Sequence, residues 1–97
     1  MKYIISGTDR PGSNTKKLSL YIQSLYKKAG DTVEIIDVAE LQLSEVDGRH
    51  YGKPEEFPAH LKSAIEKIDS AEGLIVVCPE YNGSMPGALK KFIDFWS

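Results

Sequence analysis

The sequence predicts an α/β fold, a three-layer arrangement with a parallel sheet in the middle. Three observations carry that expectation. Short apolar runs of strand length, at residues 2–6, 32–38 and 73–78, alternate with longer stretches in which apolar residues recur at helical spacing. Strands separated by helices pair in parallel through right-handed crossovers, which places helices on both faces of the sheet. A chain of 97 residues with 41% hydrophobic content suffices for one core and hardly more, so a single domain over residues 1–97 is expected.

The first strand is the apolar-centred run Lys2 to Ser6, which enters a loop at Gly7 followed by the turn-rich cluster Thr8-Asp9-Arg10-Pro11-Gly12-Ser13-Asn14. From Ser13 onward Leu18, Tyr21, Ile22, Leu25, Tyr26 and Ala29 keep helical spacing, and Gly30 stands where a helix-terminating glycine belongs. That is a helix of about four turns. Residues 32–38 are rich in β-branched side chains, with Ile35 and Ile36 adjacent, as suits a strand covered on both faces. Residues 39–58 carry Gly48, Gly52, Pro54 and Pro58 among polar side chains and are expected to be a long loop. Leu61, Ala64, Ile65 and Ile68 repeat at i, i+3, i+4 and i+7 and mark a second helix over residues 59–70. Gly73-Leu74-Ile75-Val76-Val77-Cys78 is a continuous apolar run stopped by Pro79, the strongest buried-strand signal in the chain, and is expected to be central in the sheet. After residues 80–84, Met85, Ala88, Leu89, Phe92, Ile93 and Trp96 mark a third amphipathic helix with Pro86 near its first turn.

Composition excludes several classes. Twelve basic and 14 acidic residues give a formal charge of -2 with no long block of either sign, which argues against a nucleic-acid partner. No apolar run approaches the roughly 20 residues that cross a bilayer, and no long apolar leader opens the chain, so a soluble cytoplasmic protein without a membrane role is expected. The lone Cys78 can form no internal disulfide and is read as a small core side chain rather than a catalytic thiol. His50 and His60 show no metal-ligand spacing and are read as surface residues.

In an open parallel sheet, ligands sit beyond the carboxyl ends of the strands, and both informative loops fall at that edge. The loop at residues 8–15 combines hydroxyl and amide donors, an arginine and the free N–H groups of a helix start, a set that suits a dianionic phosphate. Lys16 and Lys17 in the first helical turn oppose the helix dipole, which favours an anion nearby. Taken alone, an ordinary N-cap at Ser13 or Asn14 with Arg10 solvated accounts for the same residues equally well. The spacing lacks both the G-x-G-x-x-G of a dinucleotide site and the G-x-x-x-x-G-K-[ST] of a P-loop, so a phosphate monoester fits better. The loop at residues 79–84 offers backbone amides, little bulk at Gly83 and a tyrosine, Tyr81, able to lie beside a flat ring; a plain turn rich in Asn and Gly remains the simpler account of it in isolation.

The two loops together, in their order and wording, resemble the NADPH-dependent FMN reductase family of flavodoxin-like proteins. The resemblance rests on Gly7-Thr8-Asp9-Arg10-Pro11-Gly12-Ser13-Asn14-Thr15, which is loose, and on the longer Pro79-Glu80-Tyr81-Asn82-Gly83-Ser84-Met85-Pro86-Gly87-Ala88-Leu89-Lys90 with Asp94 following, which is specific. It implies a flavodoxin-like sheet truncated after the third βα unit. It also implies an FMN phosphate surrounded by Thr8, Arg10, Ser13, Asn14 and Thr15. Pro79, Glu80, Tyr81, Asn82 and Gly83 would line the ribityl chain and the ring edge, with Thr8 where the family usually has Ser. Flavodoxin-like sheets run 2-1-3-4-5, so this chain would leave its third strand at an open edge that invites a second copy, and a homo-oligomer is expected. Phe92, Phe95 and Trp96 could serve such an interface, although Phe92 and Trp96 are better explained as packing on their own sheet.

The function that the resemblance implies is an FMN-dependent oxidoreductase with NAD(P)H as co-substrate and flavin, quinone or azo compounds as acceptors. The cofactor carries that chemistry, so no catalytic acid, base or nucleophile is assigned and no metal is expected. Two alternatives stand beside it: a non-catalytic truncated FMN-binding or assembly fragment, and a phosphate-ester-binding module unrelated to redox chemistry.

Overall fold

A computed structural model describes residues 1–81 and 83–96. Its elements are β1 (Lys2–Ser6), α1 (Asn14–Lys28), β2 (Val33–Asp37), α2 (Ala59–Asp69), β3 (Gly73–Val77) and α3 (Gly87–Trp96). The strands form one parallel sheet in the order β2-β1-β3, with Ile4 opposite Ile35 on one side and Ile75 on the other. This is the α/β, flavodoxin-like arrangement that the sequence predicts.

Alternation along each strand divides the sheet into two faces. Tyr3, Ile5 and Ile36 point to the face covered by α2 and α3, where they join Leu61, Ala64, Ile68, Leu89, Phe92 and Phe95 in one apolar cluster. Ile4 points the other way, under α1, and is fully buried. Phe92 stacks on Trp96, and Phe57 meets Phe95 edge to face, so these aromatics pack within their own chain.

The ends of α1 are set by its sequence. Ser13 caps the start, its hydroxyl accepting from the Lys16 N–H at 3.0 Å. Gly30, at φ +84°, closes the end: its N–H donates to the Lys27 carbonyl and that of Asp31 to Tyr26, both at 3.0 Å. Pro86 stands just before α3, its carbonyl accepting from the Lys90 N–H.

Four expectations are corrected. Residues 39–58 are no passive loop: single 3₁₀ turns at Val38–Glu40, Leu43–Glu45, Gly48–His50 and Pro54–Glu56 fold Leu41 and Val46 into the core. α1 turns its smaller stripe to the sheet, burying Thr15 and Ser19 and half-burying Ile22 and Tyr26, while Leu18, Tyr21 and Leu25 face outward. Small side chains let the helix approach closely, and the three strands are too few to cover the rest of its surface. β3 is not the central strand that its apolar run suggests but the open edge that the resemblance implies, and Leu74 is 37% and Val76 47% exposed because α3 packs over the turns after β2 rather than over β3. Cys78, at the end of that edge, is exposed rather than buried.

Candidate functional site

The loops after β1 and β3 meet at the carboxyl edge of the sheet, and Gly7 is what lets them meet. Its N–H donates to the Val77 carbonyl at 2.9 Å, and a Cβ there would stand 2.8 Å from that oxygen and 3.0 Å from Leu89 Cδ2. Only glycine tolerates so close an approach. The next residue, Thr8, is 2% exposed and lies against Tyr81, sharing a 2.9 Å hydrogen bond between the two hydroxyls. Thr8 Oγ1 also accepts from the Arg10 N–H at 3.3 Å. The chain then turns through Gly12, at φ +60°, into the capped start of α1.

The result is a cleft of about 340 Å³ lined by Arg10, Pro11, Gly12, Ser13, Asn14, Thr15, Pro79 and Tyr81. That size is at the lower end for small-molecule sites, roughly 300–1,000 Å³. The N–H groups of Asn14 and Thr15, in the first turn of α1, find no acceptor within the helix, and the first turn holds no acidic residue. The positive end of the helix dipole therefore opens into the cleft, and none of the described lining residues is an anion that would satisfy it. A phosphate would meet two backbone donors, the Ser13 hydroxyl and a guanidinium within one small volume. The donor set therefore fits a phosphate ester.

The guanidinium does not point freely into solvent: Arg10 lies over the Tyr81 ring, 3.6 Å from its centroid. Among the described residues Arg10, Asp9, Lys17 and Glu80 are in no ion pair. Lys16 differs, since its Nζ is 2.9 Å from Asp37 at the end of β2. Asp37 thus already neutralises one of the two cations that the sequence places at the helix start, and the argument for an anion rests on Arg10, Lys17 and the backbone instead.

Of the residues expected at the site, Arg10, Ser13, Asn14, Thr15, Pro79 and Tyr81 line one cleft. Thr8 sits beneath it and touches it through Tyr81. Glu80 and Gly83 are exposed and lie outside the cleft, Gly83 at φ +77° in the tight turn closed by paired backbone bonds between Tyr81 and Ser84. Asn82 lies outside the described residues. Pro11 and Gly12 line the cleft without having been singled out, although a glycine between Pro and a helix cap is a visible sign of a turn. The Arg10–Tyr81 contact has no sequence signal at all, because nothing in local spacing links residues so far apart in the chain.

Elsewhere the polar groups have structural work. The His50 Nδ1 accepts from the Asp47 N–H at 3.0 Å and helps cap a 3₁₀ turn, and Asp94 pairs with Lys90 at 3.0 Å one helical turn away. Among the described residues, no three His, Cys, Asp or Glu side chains gather as a metal site, and no helix is long and apolar enough to cross a membrane. A larger cavity of about 440 Å³, between α1 and β2 at Leu20, Gln23, Lys27 and Asp31, lies at the amino ends of the strands, away from both loops.

Relatives share this architecture. The chain is 31% identical over 91 residues to a quinone reductase of Escherichia coli (strain K12), covering 94% of this chain and 47% of that protein. It is 32% identical over 92 residues to an FMN-dependent NADPH-azoreductase of Staphylococcus haemolyticus, covering 94% of this chain and 49% of that one. Among solved structures, the apo form of an NADH:FMN oxidoreductase, EMOB, superposes with a TM-score of 0.74 at 29% identity, over 99% of this chain and 49% of that one. The chain thus spans about half the length of the relatives it matches. Residues 3–97 match the family model of NADPH-dependent FMN reductase, and the chain belongs to that family.

Proposed function

We propose that this chain is the phosphate-anchoring portion of an FMN-dependent oxidoreductase that takes electrons from NAD(P)H and passes them to flavin, quinone or azo acceptors. The observation that carries the reading is the cleft itself. Arg10, the Ser13 hydroxyl and the unpartnered N–H groups of Asn14 and Thr15 converge there with the Tyr81 ring. A phosphate and an adjoining flat ring are what such a set can hold. The relatives' names, quinone reductase and FMN-dependent NADPH-azoreductase, support the same class of acceptor.

FMN supplies the hydride-accepting centre when bound. The residues of this chain bind and orient it. Arg10 and the start of α1 hold the phosphate, Thr15 and Asn14 fix its direction through their backbone amides, and Pro79 with Tyr81 forms a wall toward the ring. Thr8 holds Tyr81 in place from below, while Glu80, Asn82 and Gly83 are assigned to the ring edge by the family resemblance. No side chain here is given an acid, base or nucleophilic role. We further infer a cytoplasmic protein that forms a homo-oligomer through the open edge at β3, with all 97 residues acting as one flavodoxin-like unit.

The span of about half of each relative favours a second reading, a non-catalytic FMN-binding or assembly piece. Titration with FMN followed by fluorescence quenching, and then addition of NADPH, separates the two. Tight binding with NADPH-dependent bleaching of the visible band supports the reductase. Binding without bleaching supports a non-catalytic FMN-binding piece, and absence of binding removes the reductase reading for this chain and leaves the inert piece. Within that assay Arg10→Ala is expected to weaken FMN by about 1.5–3 kcal/mol, the range for a hydrogen bond to a charged group.

A further inference from the structure

We propose that Arg10 is a specificity-determining residue that selects phosphorylated over unphosphorylated ring ligands twice over, because without a phosphate it occupies the Tyr81 ring that the ligand needs. The inference rests on the flavin reading for the identity of its ligand, and on the Arg10–Tyr81 contact for its mechanism. The guanidinium lies 3.6 Å from the ring centroid, within the distance at which a cation is held by an aromatic face. The ring is not free to swing aside, since its hydroxyl is tied at 2.9 Å to Thr8, a residue 2% exposed.

Arg10 is held there by a shortage of alternatives. It has no carboxylate partner among the described residues, and the positive end of α1 opens into the same cleft and repels it. The π-face of Tyr81 is the electron-rich surface within reach. A phosphate at the start of α1 reverses that balance, because a charge-assisted hydrogen bond to a dianion is stronger than a partly exposed cation–π contact. The guanidinium then moves to the phosphate and uncovers the ring in the same step.

Phosphate capture and ring access are therefore coupled. A ligand carrying both groups opens its own ring site. A ligand with the ring alone must displace Arg10 and offers the guanidinium nothing in return. The two effects act in the same direction on the ratio of FMN to riboflavin affinity, whereas a residue that merely touches the phosphate would leave riboflavin binding unchanged.

The test is to measure FMN and riboflavin affinities by fluorescence quenching in the unsubstituted chain and in Arg10→Ala. Opposite shifts are expected: FMN weaker, and riboflavin tighter by about two- to fivefold, the range for losing an exposed cation–π competitor. Riboflavin affinity that stays the same or falls overturns the proposal. If the unsubstituted chain binds neither flavin, the flavin reading fails by itself, and the exchange is decided without flavin. Thermal unfolding of Arg10→Ala, Tyr81→Leu and the double variant, with and without inorganic phosphate, reads the coupling between the two side chains. Coupling that is present without phosphate and vanishes at saturating phosphate supports the exchange. Coupling that persists in phosphate, or is absent throughout, overturns it.

Discussion

The β2 edge and the β3 edge flank the same central strand, yet their side chains differ in kind. Along β2, Val33 and Ile36 are buried, one on each face, and exposed Glu34 pairs with Lys67 of α2 at 3.7 Å. Gln23 of α1 donates to the Val33 carbonyl at 2.9 Å and occupies part of the edge. Asp37 ends the strand by accepting from Ala39 and pairing with Lys16. Charges, a side-chain cap and a short strand are the usual protections of an exposed edge. β3 matches β2 in length, five residues each, but has neither charge nor side-chain cap: Gly73-Leu74-Ile75-Val76-Val77 is apolar throughout, and its side chains lie on both faces. One edge is built to face water, and the other has the composition of a strand that pairs on both sides.

The same contrast divides the two faces, and the largest test compares them. Phe92→Ala, at a fully buried position on the inner side of α3, is expected to cost about 3–5 kcal/mol in urea unfolding. Leu25→Ala, on the outer side of α1, should stay within about 0.5 kcal/mol despite an equally apolar sequence context. A comparable loss at both positions would mean that the outer surface of α1 is covered in solution. Next comes Gly7→Ala, where the new methyl meets the Val77 carbonyl at 2.8 Å. A loss of about 1–3 kcal/mol is expected there, with β3 and its loop displaced from β1. Unchanged stability would show that the junction between β1 and β3 is looser than its geometry.

Val76→Lys sharpens the comparison of edges directly. Stability of the monomer should move by no more than about 0.5 kcal/mol, while any concentration-dependent rise in mass, measured by light scattering, should disappear. Persistence of that rise would place the contact elsewhere. The smallest effect is expected on acidification. Hydrogen bonding to Lys2 holds Asp31 below its ordinary 3.8, that to Arg49 holds Asp47 lower still, and the terminal ammonium depresses Glu72. A depressed carboxyl stabilises the fold above its unfolded value, and that contribution is lost as pH falls from about 4 through the folded value. Asp47 and Glu72 are exposed and Asp31 is only half-buried, so the loss should be small and should shrink further in salt. A pronounced loss between pH 7 and 5 would point to some other group.

Much of this was legible in advance, and the exceptions share a cause. Gly30, Ser13 and the spacing of Leu61, Ala64 and Ile68 fix local structure by backbone sterics, capping and periodicity, which act over a few residues. The residues that line the cleft were legible for the same reason, since loops after parallel strands must open at one edge. The face that α1 presents was not legible. Leu18, Tyr21 and Leu25 have the same helical period as Ser19 and Ile22, and which stripe is buried depends on how wide a sheet lies beneath. Nor was the burial of Leu41 and Val46, which follows from the turns of residues 38–56 folding beneath α3.

The sequence by itself therefore determined the alternation of strands and helices and the phosphate-suited loop at residues 8–15, because each follows from short-range rules of chain geometry, while the order β2-β1-β3 was what the family resemblance implied. Only the tertiary structure decided that Lys16 is taken by Asp37 and that Arg10 rests on Tyr81. Those outcomes depend on which groups a charge or an apolar surface meets first in space. No local pattern encodes that distance.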